Sequence, residues 1–339
     1  MIVPIILLAV GFVLLIKGGD WFVDGATGIA RRFHLPEILI GATVVSIGTT
    51  LPEVMVSAGA ALQGSGSIAY GNAIGSIICN TSLIAALTIA IKPGAAARKS
   101  MVLPVLFFFG AAIIYCLGAY VFGTFSLLMG IILLSVFVIY MVSTVLRMKN
   151  TASVLADTET EAEMEIKTGE DHVVESEEKG TKDSLLKDIL LLVVGAAVIA
   201  FGADLLVDNA IIIAEKFGVS EKVIGLTIVA LGTSLPEFVT AITSLIKGHG
   251  SLSLGNIIGA NLFNLVLVSG VAVTLNPFDV PVSGLIGGVN SSLVLDIPVM
   301  LAVMLILTVP TLIKEKLSRW QGILLLGIYA AFCVLQFAL

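Results

Sequence analysis

The sequence predicts an all-α integral membrane protein: ten transmembrane helices, arranged as two inverted five-helix repeats, with both termini outside. Three observations carry this expectation. Of 339 residues, 58% are hydrophobic and 12% charged, whereas an ordinary soluble domain carries about 25% charged residues. Ten apolar stretches approach the roughly 20 residues that a bilayer-spanning helix needs. Finally, the same pattern of motifs occurs twice at a fixed spacing.

The spans fall at roughly 3–30, 37–62, 70–91, 101–120, 124–147, 186–214, 222–246, 252–274, 287–312 and 320–338. The first has no cationic start and no small-residue cleavage site, and it runs directly into a repeated motif. It therefore reads as a mature helix rather than a signal peptide. With the N-terminus outside, fifteen Lys and Arg lie in the inner loops, among them Arg31, Arg32, Lys247 and Arg319, against Lys216 and Lys222 in the outer ones. That asymmetry sets the expected orientation and favours an even number of spans.

The formal charge of −6 comes from one segment. Residues 150–183 hold eleven acids against Lys167, Lys179 and Lys182, and the rest of the chain is net +2. Acidic and poor in aromatics, this segment is expected to be a disordered cytoplasmic tether between a first repeat, 1–149, and a second, 184–339. It lacks the ligand spacing and glycine of an EF-hand loop, and nothing in it calls for a nucleic-acid partner. Cys79, Cys116 and Cys333 are scattered in apolar segments, with neither disulfide nor zinc spacing. They read as small buried hydrophobes. His34, His172 and His249 read as surface loop residues.

The repeat is direct. GGDWFVDGATGIARRF at 18–33 answers GADLLVDNAIIIAEKF at 202–217, GATVVSIGTTLPE at 41–53 answers GLTIVALGTSLPE at 225–237, and GNAIGSIICN at 71–80 answers GNIIGANLFN at 255–264. The offset is 184 throughout. Each copy has an odd number of spans, so the second lies upside down relative to the first. Such inverted repeats place a transport site at the membrane midplane.

Glu53 and Glu237 sit within spans, in GTTLPE and GTSLPE. An intramembrane carboxylate is costly unless paired or hydrated and marks a functional site; the alternative, a protonated packing residue, does not explain its recurrence. Pro52 and Pro236 leave the carbonyls of Gly48 and Gly232 without helical donors, which membranes tolerate only in backbone that is buried in protein or lines a cavity. Those carbonyls, the hydroxyls of Thr49, Thr50, Thr233 and Ser234, and the two carboxylates form an all-oxygen set. Hard oxygen ligands suit Ca2+ or Na+ rather than Zn2+ or Cu+. Asn72, Ser76 and Asn80 share one helical stripe, as do Asn256, Ala260 and Asn264. Asn80 and Asn264 lie deeper and read as ligands, while for Asn72 and Asn256 capping and ligation both stay open. Two carboxylates are balanced by one Ca2+ or two Na+, which is the electrostatic basis for exchange.

The paired motifs resemble the alpha-repeats of the sodium/calcium exchanger family, within the wider cation/Ca2+ antiporter superfamily. The resemblance covers all ten spans. It implies a secondary antiporter in the cell membrane, not an enzyme, that exchanges Na+ for Ca2+ by alternating access and needs no cofactor beyond its transported ions. Ca2+ would be held by Glu53, Glu237 and oxygens around Thr49 and Thr233. Na+ would use Ser46, Thr50, Ser76, Ala230 and Ser234, partly through backbone carbonyls, with Asn80 and Asn264 completing the centre. The first and sixth helices would slide past the core, with Asp20, Asp24, Asp204 and Asp208 on their faces. Two positions depart from the family pattern. Ala260 stands where similar proteins often carry Ser, which weakens one Na+ site. Asn264 replaces the Asp of K+-dependent members and argues against K+ co-transport. The partners implied are Ca2+, Na+ and the lipid bilayer, and a monomer is compatible with the scheme. Rival readings are a H+/Ca2+ antiporter, a cation channel, and an intramembrane aspartyl protease suggested by the GGD and GAD motifs; the protease reading leaves both LPE motifs unexplained. Asp296 has no repeat partner and receives no role.

Overall fold

A computed structural model describes residues 2–33, 35–166, 182–217, 232–282 and 284–338. The helices are α1 (Ile2–Arg32), α2 (Glu37–Leu62), α3 (Gly66–Ile91), α4 (Arg98–Phe122), α5 (Leu127–Ile166), α6 (Lys182–Lys216), α7 (Leu235–Ile246), α8 (Gly250–Leu275), α9 (Ser292–Lys314) and α10 (Arg319–Ala338). Among the described residues, nine helices are long and apolar enough to cross a membrane, and α7 is a shorter apolar helix. The first part of the span expected at 222–246 lies outside the described residues.

Helix ends repeat at the offset found in the sequence. α3 begins at Gly66 and α8 at Gly250, they end at Ile91 and Leu275, and α2 and α7 end at Leu62 and Ile246. The turns after α2 and α7 also match. Gly64 and Gly248 take φ of 77° and 86°, a left-handed conformation that glycine adopts without steric cost. The next amide then closes the helix, Ser65 N to Ala60 O at 2.8 Å and His249 N to Ser244 O at 2.7 Å.

The first helices of the two repeats, α1 and α6, run antiparallel. Along α1, Gly11 lies against Gly202, Gly18 against Gly195 and Ile199, and Gly25 against Asp188 and Leu192. The α1 glycines recur every seven residues while their partners on α6 step backwards by seven. A Cβ at Gly11 would stand 2.8 Å from the Gly202 carbonyl, and one at Gly195 would stand 2.5 Å from the Phe22 amide. The two backbones therefore touch directly, the small-residue packing that membranes favour. This pair lies beside a core centred on α8, in which every residue from Leu252 to Phe263 is buried.

Two expectations need correction. α5 continues to Ile166, so 150–166 is helix where composition led us to expect disorder. Ala, Leu, Met and Glu dominate TASVLADTETEAEMEI, and their helix propensity suffices to prolong a helix already nucleated in the span. Residues 167–181 of the acidic segment, with His172, lie outside the described residues, as does His34, and Lys182 and Asp183 open α6. α9 begins at Ser292, later than the expected 287, because Leu285–Ile286 pairs with Val289–Asn290 around a Gly287–Gly288 turn. The three cysteines are free, with Cys79 buried and Cys116 and Cys333 half-buried.

Candidate cation-binding site

The two proline motifs differ in local structure. Pro52 sits inside a continuous helix, α2, whereas Pro236 occupies the first turn of α7, after a turn at Thr233 and Ser234. A helical first turn accepts proline because its amide there has no intrahelical partner anyway. The chain therefore leaves helical geometry just before Pro236 and stays helical through Pro52. Upstream of Pro52, Gly41–Val45 form a π-helical turn; the equivalent residues 225–229 lie outside the described residues.

Glu53 and Glu237 are both 0% exposed. Their carboxyl groups are neighbours, and Glu237 also lies beside the Thr49 hydroxyl. Among the described residues, none of the four carboxyl oxygens has a hydrogen-bond partner. The same holds for Thr50 Oγ1, Ser234 Oγ and both side-chain polar atoms of Asn80 and of Asn264. Buried polar groups are ordinarily satisfied, so this concentration of unpartnered oxygens and amides marks a candidate cage for an ion. It also obeys the repeat, as Glu53 with Glu237, Thr50 with Ser234 and Asn80 with Asn264. Two carboxylates and several neutral oxygens fit a hard cation such as Ca2+ or Na+.

Asn80 and Asn264 each open a π-helical segment, Asn80–Ala85 and Asn264–Val268. Such wide turns are frequent at functional sites. Here the Ser269 hydroxyl donates to the Asn264 carbonyl at 3.0 Å, which occupies the backbone and leaves the amide side chain for the cage.

The other sequence candidates divide. Ser46 Oγ is engaged at the α2–α8 seam, 2.7 Å from the Gly41 carbonyl and 2.9 Å from the Asn256 carbonyl. Ser76 is buried on α3, and Thr233 is half-buried in the turn before α7. Ala230 lies outside the described residues. Asp296 is buried and accepts from Gln336 Nε2 at 2.6 Å. His249 is not a plain surface residue, since its Nδ1 lies 2.7 Å from Glu37 Oε1 and it is half-buried. The reason is that the turn after α7 folds back over the start of α2.

Asn72 and Asn256, open between capping and ligation in the sequence, take different roles, and the sequence does not single out Thr240, Ser244 or Asn261. Asn256 Oδ1 accepts from Thr49 Oγ1 at 3.2 Å and its Nδ2 is unpartnered. Asn72, its repeat mate, instead ties helices together, donating to the Glu53 carbonyl at 3.1 Å and to Ser57 Oγ at 2.8 Å. Thr240 and Ser244 carry buried hydroxyls without partners on the Glu237 face of α7. The repeat conceals them, because the first copy has Val56 and Ala60 there. Asn261 donates to Thr81 Oγ1 at 2.7 Å and leaves its Oδ1 unpartnered.

Comparison with known proteins bears on the family and the fold. The family model described as sodium/calcium exchanger protein matches residues 3–146 and 187–338. A sodium/calcium exchanger, MaX1, of Methanosarcina acetivorans is 31% identical, with 99% of both chains covered. An uncharacterized membrane protein of Methanocaldococcus jannaschii is 34% identical over 94% of this chain and 93% of its own. Among solved structures, the sodium-calcium exchanger NCX_Mj soaked with Na+ and Sr2+ superposes with a TM-score of 0.76 at 32% identity, covering 97% of both chains.

Proposed function

Since the chain belongs to the sodium/calcium exchanger protein family, and as such is a multi-pass membrane antiporter of Na+ and Ca2+, we propose that Glu53 and Glu237 form its ion-binding centre. One observation carries the assignment: a repeat-symmetric set of buried oxygens, two carboxyl groups among them, without partners among the described residues. Ca2+ is held between the two carboxylates with the Asn80 and Asn264 carbonyls and oxygens around Thr49 and Thr233. Na+ takes overlapping positions near Thr50 and Ser234, with Ser46, Ser76 and Ala230 contributing where their hydroxyls or backbone oxygens reach.

Charge drives the cycle. An empty pair of carboxylates resists being sealed away from water, whereas one Ca2+ or two Na+ neutralise it and permit the site to change sides. Na+ beyond two per cycle makes exchange electrogenic. Both termini face outside and the 150–183 segment faces the cytoplasm, an orientation supported by the fifteen-to-two bias of Lys and Arg. With the usual inward Na+ gradient, transport runs as Ca2+ extrusion from a cell membrane.

Protons in place of Na+ give the second reading, because two carboxyl groups also bind two H+. The hydroxyl-rich turns favour Na+, since a proton needs no oxygen cage. Radiocalcium uptake into proteoliposomes tests the two. Uptake driven by a Na+ gradient and indifferent to a pH gradient is expected; the reverse pattern would replace Na+ with H+. Ca2+ flux with neither gradient would mark a channel.

A further inference from the structure

Lys247, which follows α7, reaches across to α1. Its Nζ lies 2.7 Å from Asp24 Oδ1 and 3.4 Å from Asp20 Oδ1, and it donates to the Asp20 carbonyl at 3.0 Å. Asp20 and Asp24 are one turn apart, so one cation serves both. Beside them, a Cβ at Gly19 would stand 2.7 Å from Val239 Cγ1 and 2.9 Å from Thr243 Oγ1. At this end α1 is closed onto α7.

The repeat supplies an internal control. At the offset of 184, Asp20 and Asp24 become Asp204 and Asp208 on α6, Val239 and Thr243 become Met55 and Gly59 on α2, and Lys247 becomes Gln63. Among the described residues, Asp204 and Asp208 form no ion pair. Met55 is 72% exposed, and a Cβ at Gly59 would meet nothing within 4 Å. α6 thus stands off α2 where α1 is shut on α7, and the two ends differ in having or lacking a lysine. Among the described residues, the neighbouring polar contacts do not cross the α1–α7 boundary. Arg32 with Asp188 at 3.3 Å stays within the α1–α6 pair, and His249 with Glu37 at 2.7 Å joins the start of α2 to that of α8.

We propose that Lys247 is a positioning residue for exchange: a one-sided ionic latch that holds α1 on α7 and biases the protein toward the conformation closed on its own face and open on the Gln63 face. Two inverted halves alternate by trading conformations. Matched halves would populate both states equally, and a contact present in one half alone unbalances them. Opening the Lys247 face costs both carboxylates and a carbonyl contact, with no equivalent gained at Gln63. The groups are partly exposed, so salt weakens the latch.

Hydrogen–deuterium exchange on the purified full-length protein tests the structural claim without reference to transport. Lys247→Gln is expected to raise exchange in peptides spanning 20–32 and 235–250 and not in 51–66, while Lys247→Arg behaves as wild type. The double variant Lys247→Gln with Gln63→Lys should reverse the pattern, protecting 51–66. Unchanged protection of 235–250 in Lys247→Gln overturns the latch. The transport consequence rests on the exchange reading. In oriented vesicles, Lys247→Gln should lower the Ca2+ KM on the Lys247 face and raise it on the other, shifting their ratio about threefold or more. Equal shifts on both faces, or a fall in kcat alone, would mean that Lys247 only supports the fold and would overturn it. A wild type without Na+-driven Ca2+ uptake would remove the exchange reading while leaving the deuterium comparison valid.

Discussion

Thr49 donates to Asn256 Oδ1 at 3.2 Å, so the turn that presents Glu53 is braced by an asparagine from the opposite repeat. The mirrored position, Asn72, is spent on the Glu53 carbonyl and Ser57. Two asparagines that look interchangeable in sequence thus do different work.

Their truncation should separate these roles. Asn256→Ala is expected to weaken Ca2+ binding about tenfold, the upper end for one buried hydrogen bond between neutral groups, with thermal stability nearly unchanged. Asn72→Ala should lower stability by about 1–2 kcal/mol and leave Ca2+ affinity near wild type. Isothermal titration with Ca2+ and a melting curve on each variant check both halves of the statement.

Removing either carboxylate should be far more severe. Glu53→Gln or Glu237→Gln leaves one buried charge facing a divalent ion, a loss on the order of 3 kcal/mol or more than about a hundredfold in affinity. Na+-driven radiocalcium uptake should be close to background in both variants. Normal exchange in either would sink the site assignment.

Ala260 is fully buried on α8 where the first copy has Ser76. Ala260→Ser adds one oxygen beside the cage with little added volume. It should lower the Na+ concentration for half-maximal exchange by about threefold, the equivalent of ~0.7 kcal/mol. Na+ titration of Ca2+ release from loaded proteoliposomes measures this, and an unchanged midpoint would separate position 260 from the Na+ sites.

The α1–α6 seam gives a packing test. A Cβ at Gly195 would collide with the Phe22 backbone, whereas one at Gly110 on α4 would meet nothing within 4 Å. Gly195→Ala should destabilise by about 1–3 kcal/mol and slow exchange, and Gly110→Ala should do neither. Equal melting temperatures for the two variants would contradict the backbone contact.

Much of this was legible in the sequence because duplication writes each constraint twice. The helix ends at Leu62 and Ile246, the paired glutamates and the orphaned Asn80 and Asn264 all follow from one offset. What occurs in one copy only was invisible by the same logic. Thr240 and Ser244 face Val56 and Ala60 in the alignment, and Lys247 faces Gln63, so each read as ordinary variation. The wide turns at Asn80 and Asn264 have no compositional signature, since apolar residues suit α- and π-helix alike. Nor does composition reveal that α5 prolongs its helix to Ile166, because acidic residues favour both solvated coil and a helix that is already running.

The glycine contacts between α1 and α6 carry one more consequence. Backbone laid against backbone at Gly11, Gly18, Gly195 and Gly202 leaves no side-chain cushion between the helices, so a push on one is a displacement of the other. Such a pair behaves as a rigid beam. Closing one end of a beam against the core lifts the other, and both ends cannot be raised together. The seam therefore does more than join two helices: it ties the position of one end of the pair to that of the other.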